Sequence, residues 1–526
     1  MIALLLACQG AGTQDSAAPE AAPTTMPLSD AALLRRLSLD LRGTLPSEDE
    51  LDALAGGEDL AALRAAMLAS PEHAERLVML LSEQWLTLTE EYPLTAALVG
   101  FSSEEEYAFR RAVGQEPLRL LAYVAANDRP WTEVVTANYT LAEERLLQIW
   151  PLEAVEASGQ EGWQVAVYTD GRPAGGVMTT NGIMWRYNVA LYGRSRAAAL
   201  ADLLLCDDYL QRPISFSSPT LVAEGDLNLA TQTEPACLNC HATLDGLSSA
   251  LFGFEFYDFY SLDELSVYHP ERERLGSYYL SAEPSWYGSP LDGAAALPAA
   301  AAADSRLVDC VVRRFTEGLW RRELAVEDFA LLQDLEADFV DGELRVSALL
   351  TAITETEEYQ AAEHLEGADP LRIERVANAR ILSPSQLANV VEQLTGYRWW
   401  YLGYDQMDND TWGYRVLSGG TNPPYVEEIS IDHTVTRDLV IKRLAQAAGR
   451  HAVDSGAIDG GIVLEDAAFE EALISLHRRM YTAEPDAAWL AEVTALWEDV
   501  AALADSEQAW ASITSVMIRD PAFWSY

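Results

Sequence analysis

The chain has 526 residues, 49% of them hydrophobic and 22% charged, a globular composition too long for one ordinary core, so two to four domains are expected. Its 82 acidic against 35 basic residues give a net charge of −47, which excludes nucleic acid and anionic lipid surfaces as partners and favours a solvated acidic surface that a basic partner protein could exploit. No run of 18 or more apolar residues follows the start, so any tie to a membrane must come from the N-terminus.

Leu5-Leu6-Ala7-Cys8 fits the small-residue-then-Cys pattern at which bacterial export signals are cut and the new terminal cysteine is lipidated. The apolar stretch before it is short and carries no Lys or Arg, so the start codon is expected upstream and residues 1–8 read as a truncated lipoprotein signal. Residues 9–27, rich in Ala, Gly, Thr, Ser and Pro, suit a flexible linker. From 28 to 100 the apolar spacing of Leu33, Leu34, Leu37, Leu41, Leu60, Leu63, Met67 and Leu68 is helical, with N-cap signals at Ser29-Asp30 and a capping box at Ser47 to Glu50. Residues 101–235 form a mixed, mainly helical module: Trp163 to Tyr168 alternates as a strand does, and Val177 to Asn188 and Arg194 to Leu205 read as helices. Residues 236–366 hold a CxxCH segment, a hairpin arm expected at Gly276 to Leu280, and a long helical pair from Ser305. Residues 367–526 form a C-terminal helical module around an aromatic section from Tyr397 to Tyr425.

An internal echo supports a modular build. Leu63 to His73, Leu349 to Tyr359 and Ile513 to Phe523 each read as an apolar helix, a short polar break and then a ring. The fold class expected is mainly α, in several helical modules with a few short β-hairpins and a cytochrome c-like haem segment.

Cys237-Leu238-Asn239-Cys240-His241 carries the chemistry. Two residues between the thiols let both sulfurs reach vinyl groups on one porphyrin edge, and the imidazole directly after Cys240 falls beneath the iron, so the cofactor expected is covalent haem c with His241 as proximal ligand. The rivals are a Cys237–Cys240 disulfide and a metal or vestigial site; no second CxxC or His pair completes a zinc set. Candidate distal ligands are His269, Met178 and Met184, and an open iron position is the alternative. Asp245, four residues past His241, would share a helical face with the imidazole and can hold its second nitrogen. The two remaining cysteines, Cys206 and Cys310, are expected to pair in an oxidising compartment, closing a loop around the haem segment. The acids Asp405, Asp408 and Asp410 miss the EF-hand spacing, and Trp399, Trp400 and Trp412 read as core before they read as a binding face. No serine-nucleophile elbow, P-loop or dinucleotide fingerprint is present.

Gly176 to Thr180, Arg194 to Cys206, Cys237 to His241 with Asp245, Gly253-Phe254 and Asp258, and Cys310 to Arg314 resemble the cytochrome-like exported proteins of planctomycetes and myxobacteria, built from adjoining domains of unknown function. Leu37 to Pro46 is similar to the N-terminal module of the same families, and the likeness covers about residues 30–360. The resemblance implies a haem c site at Cys237, Cys240 and His241. The family's Asp-Pro-Leu-Gly-Phe run is altered here, with Gly246 after Asp245 and the Gly-Phe pair displaced to Gly253-Phe254. The functional expectation is therefore an envelope-anchored c-type haem lipoprotein in electron transfer, facing the periplasm or the cell surface. A redox partner protein is expected, and the membrane is met only through the lipid on Cys8. The alternatives are a haem-dependent, peroxidase-like oxidoreductase and a structural or surface-binding lipoprotein without haem. Oligomeric state is not legible.

Overall fold

The computed structural model describes residues 25–188, 192–213, 227–364 and 379–526. Cys8 and the expected linker before residue 25 lie outside the described residues. The principal elements run β1 (Thr25–Pro27), α1 (Asp30–Leu41), α2 (Glu48–Ala55), α3 (Leu60–Leu68), α4 (Pro71–Trp85), α5 (Glu106–Ala126), β2 (Thr140–Ala142), β3 (Leu152–Ala157), β4 (Gln164–Tyr168), α6 (Asn181–Arg186), α7 (Arg194–Leu205) and α8 (Pro235–Ala250). They continue with α9 (Leu275–Leu280), β5 (Ser285–Trp286), β6 (Ser289–Pro290), α10 (Arg306–Trp320), α11 (Phe329–Asp341), α12 (Val346–Glu355), α13 (Glu357–Gln360) and β7 (Ala361–His364). The last part holds α14 (Pro384–Thr395), β8 (Trp400–Tyr401), β9 (Tyr404–Asp405), α15 (Val435–Asp454), α16 (Phe469–Tyr481), α17 (Ala487–Leu503), α18 (Ser506–Arg519) and α19 (Pro521–Trp524). The chain is mainly α, and its strands form small antiparallel sheets, the largest with order β2-β4-β3.

Local signals explain most helix starts. Ser29 accepts from the Ala32 amide at 3.3 Å, Ser47 and Glu50 close a capping box, and Asp59 caps α3, each satisfying amides that a helix start leaves open. The alternating stretch from Trp163 becomes β4, with Val165 and Ala166 buried. Gly276 to Leu280 is not a hairpin arm: it lies in α9, because Gly276 packs directly on the backbone of Ser249 in α8, and the hairpin is β5–β6 a few residues later.

The expected module boundaries at 100 and 235 do not separate cores. One apolar cluster runs from Leu33 through Leu121, Trp185, Leu247 and Phe315 to Tyr359, and β1 pairs with β7 to tie residue 25 to residue 364. A second cluster gathers Leu382 through Trp524 and takes Leu39 and Leu45 from the N-terminal part. Helix α1 lies between the two, buried at every position from Leu33 to Leu41, charges included.

The three echoes converge on this helix. Each becomes a helix, a Ser, Thr or Asp at the N-cap, and a second helix whose third residue is a buried ring: His73, Tyr359 and Phe523, 3%, 0% and 0% exposed. The His73 Nδ1–H donates to the Leu41 carbonyl at 2.7 Å, the Tyr359 hydroxyl donates to Asp40 Oδ2 at 3.0 Å, and Arg35 donates to the Phe523 carbonyl at 2.6 Å. The shared design is a means of docking helix pairs onto one buried, polar helix, since every carbonyl and charge buried there needs a partner.

In the second aromatic section, Trp399 packs on Tyr414 with ring centres 5.1 Å apart, whereas Trp400 and Trp412 are 55% and 51% exposed, so the expected core role holds for Trp399 alone. The acids beside them are taken by arginines: Asp405 by Arg398, Asp408 by Arg111 and Asp410 by Arg415. Among the described residues no group of three or more His, Cys, Asp or Glu side chains is placed to hold a metal ion.

Two buried titratable groups set opposing pH dependences. Burial pushes His73 down to about 4, so the folded chain resists a proton that the unfolded chain accepts below about 6.5; that stability is present above pH 6.5 and is lost as pH falls toward 4. Burial raises Glu116 to about 7 against hydrogen bonds from Tyr168, Gly182 and Thr140, so its contribution is present below about pH 4.3 and is lost as pH rises through 7. Each effect is on the order of 3 kcal/mol, and in the wild type they offset between about pH 4.5 and 6.5. Urea midpoints measured across this window are expected to fall on acidification in Glu116→Gln and to rise in His73→Gln. Parallel profiles for both variants and the wild type would sink the assignment.

Candidate functional site

Helix α8 starts at Pro235, which suits a first helical position because its missing N–H would have no intrahelical acceptor there. Cys237, Cys240 and His241 therefore occupy its first two turns, with the thiols three residues apart on one face and the imidazole one residue on. Leu244 and Leu247 continue the cysteine face of the helix by i+4 and i+7 spacing from Cys240 and are buried in the first core. At Gly246 a side chain would strike Ser285 of β5; this close approach is the physical reason for the glycine after Asp245.

Both cysteines are half-buried free thiols, not joined to one another. The Cys240 thiol lies 3.8 Å from the Tyr209 carbonyl, and Tyr209 and Thr243 share a hydroxyl hydrogen bond at 2.8 Å, which fixes the wall beside it. Arg212 stacks 4.0 Å from the centre of the Tyr209 ring, donates one terminal nitrogen to both Asp207 oxygens at 2.7 Å and the other to the Asn239 carbonyl at 2.7 Å.

His241 is oriented by a relay. Its Nδ1 lies 2.9 Å from Asp245 Oδ1, and Asp245 accepts from Arg194 Nε at 2.6 Å and from its terminal nitrogen at 2.9 Å. Burial pushes the Asp245 carboxyl up, but the hydrogen bonds from Arg194 and His241 outweigh it and hold it below the ordinary carboxylate range. An ionised acceptor fixes the proton on Nδ1 and leaves Nε2, which has no hydrogen bond among the described residues, free to act as a Lewis base. The His241 side chain is 22% exposed and so accessible to a ligand.

Arg194 is the first residue of α7, and Cys206 follows its last. Cys206 and Cys310 are paired, with Cα atoms 5.3 Å apart, so the bond that the leftover cysteines suggested fastens α7 to α10. The relay is thus anchored by a covalent cross-link one helix length away.

The distal candidates are not brought to His241. His269 donates its backbone N–H to Gly253, beyond the far end of α8, roughly 13 Å or more along the helix axis from His241. Its Nε2 is buried without a partner. Met178 is 1% exposed within the first core, and the Met184 sulfur lies 3.8 Å from Arg196, which itself donates to the Phe254 carbonyl at that same far end. The spacing in sequence carried no information on which end of α8 each would reach. Arg194, which completes the relay, was missed as a functional residue; its position at the start of a strongly helical run was visible, its partner 51 residues on was not.

No helix of the described residues is long and apolar enough to cross a membrane. None of the curated proteins compared and none of the solved structures matches the chain. Residues 28–152 match the sequence model of PSD4, a protein of unknown function (DUF1592), a segment running from just before α1 to the start of β3 and ending ahead of the CxxCH helix.

Proposed function

We propose that this protein is an envelope-anchored c-type haem protein that transfers electrons, with haem held by Cys237 and Cys240 and its iron by His241. The observation that carries the reading is the relay Arg194–Asp245–His241, which presents an imidazole Nε2 with no hydrogen bond among the described residues in the same two turns as two free thiols. The residues fit the group: two thiols can form thioethers, and an imidazole whose Nδ1 is held by Asp245 can take the iron through Nε2. Bound haem would supply one-electron chemistry at a potential set by its axial ligands, hydrogen bonding and burial.

The chain's own residues supply the rest. Asp245 accepts the Nδ1 proton and, being buried and ionised, makes His241 a more electron-rich ligand, while Arg194 balances that charge. The Cys206–Cys310 bond keeps Arg194 in register with α8. The acidic surface, at a net −47, steers a basic redox partner by long-range attraction. Lipid on Cys8 would hold the molecule at the envelope, facing the periplasm or outside.

A second reading, a haem-dependent oxidoreductase acting on peroxide or a small substrate, is favoured by one observation. None of His269, Met178 and Met184 approaches His241, and a carboxylate-held proximal imidazole suits an iron with an open position.

The test is a pyridine haemochrome spectrum with a haem-stained denaturing gel, on protein exported from a host that matures periplasmic cytochromes c. Covalent haem is expected in the wild type and none in Cys237→Ala/Cys240→Ala. A folded, exported wild type without haem overturns the proposal, and a high-spin, ligand-labile spectrum selects the oxidoreductase reading.

A further inference from the structure

We infer that the cavity between the two cores is a binding site for a small organic anion bearing phosphate or carboxylate groups. It has a volume of about 560 Å³, within the usual range for small-molecule sites. Its walls bring together Arg36 of α1, Trp320 and Arg321 at the end of α10, Arg322, Arg380 and Arg437 of α15. A chain with 35 basic residues against 82 acidic ones has placed five guanidinium groups around one space.

Charge pairing accounts for only some of them. Arg321 meets Glu83 at 2.5 Å, Arg322 meets Asp328 at 2.7 Å and Arg380 meets Asp40 at 2.8 Å. Arg36 and Arg437 have no carboxylate within ion-pair distance among the described residues, although Glu323, Glu358 and Asp432 also line the cavity. They donate instead to backbone carbonyls, Arg36 to those of Tyr359 and Ala361, and Arg437 to those of Ser418, Ser430 and Asp432. Burial, with a neighbouring arginine adding to it, lowers both to about 10 and outweighs the attraction of Asp40 for Arg36 and of Asp432 for Arg437.

A second observation points to the ligand's chemistry. Among the described residues, three N–H donors of residues that line the cavity are shielded from solvent and have no acceptor: Arg36 Nε, Arg321 Nε and Trp320 Nε1. Their residues are 4%, 7% and 5% exposed. Buried donors without acceptors are rare in folded proteins, and they leave this wall with an excess of donors over acceptors that favours a ligand made only of acceptor oxygens. Phosphate and carboxylate are such groups, and they match the guanidinium fork two oxygens at a time. The backbone is shaped to suit: at Gly419 any side chain would collide with the Arg437 guanidinium, so the glycine is required where that arginine turns back onto the Ser418 and Ser430 carbonyls.

The inference is independent of the haem proposal and is tested on the full chain by titration calorimetry with pyrophosphate and citrate in low-salt buffer. Saturable binding of either probe, at one per chain, is expected; which one binds more tightly identifies the group recognised. Arg36→Lys and Arg437→Lys, which keep the charge and lose the fork, are each expected to weaken binding at least about tenfold. Absence of saturable heat with both probes overturns the inference, as does wild-type affinity in both lysine variants with native circular dichroism spectra.

Discussion

Replacing Asp40 by alanine is expected to destabilise the protein by about 3–5 kcal/mol, because it removes one partner of a buried ion pair and strands the other. The Asp40 side chain is fully buried, and its two oxygens accept from Arg380 at 2.8 Å, Tyr359 at 3.0 Å and Tyr526 at 2.5 Å. Tyr359 belongs to the first core, whereas Arg380 and Tyr526 belong to the C-terminal part, so one carboxylate on α1 fastens both sides. The variant should therefore lose the docking of the two parts before it loses either core. Urea unfolding is expected to change from one transition to two. Asp40→Asn, which keeps the volume and part of the hydrogen bonding, should lie between. An Asp40→Ala protein that unfolds in one step at the wild-type midpoint would show that the hydrogen bonds of this cluster do not hold the parts together.

Removing the Cys206–Cys310 bond has the second largest expected effect. The cysteines are 104 residues apart, and a cross-link closing a loop of that length restricts the unfolded chain by roughly 4–5 kcal/mol in the chain-entropy account. Cys206→Ala/Cys310→Ala should lower the urea midpoint accordingly, with little change in the slope per molar denaturant. The effect should extend to the candidate site, since Arg194 sits at the other end of the helix that the bond fastens. If haem is carried as proposed, the yield of holoprotein should fall with the bond even though Cys237, Cys240 and His241 are intact. A midpoint unchanged in the double variant would mean that apolar packing of α7 on α10 alone sets the stability there.

Much of the local structure was legible in the sequence because its determinants are local. The capping box at Ser47, the strand at Trp163 to Tyr168, the helical register that puts Asp245 one turn from His241, and the ring after each helix break all depend on residues a few positions apart. The pairing of Cys206 with Cys310 was legible for a different reason, elimination among five cysteines once Cys8, Cys237 and Cys240 had roles. Where expectation failed, distance was the cause. Gly276 to Leu280 has aromatic residues that suit a strand, yet packing of Gly276 against Ser249 selects a helix. The burial of Arg35, Arg36 and Asp40 has no local signal, since the carbonyls and side chains that make it tolerable belong to residues more than 300 positions away.

By itself, then, the sequence determined a mainly helical chain, its acidic surface, the two thiols and imidazole on one helical stretch, and the cysteines left to pair, since each follows from composition or from spacing within a few turns. The tertiary structure alone decided that one core gathers residues from Leu33 to Tyr359, that α1 is the polar hub between two cores, that Arg194 clamps Asp245, that His269 and the methionines lie away from His241, and that arginines without a carboxylate partner among the described residues line one cavity. These outcomes depend on which groups meet across long separations, where the cost of burying an unpaired charge or hydrogen-bonding group, rather than local propensity, selects the arrangement.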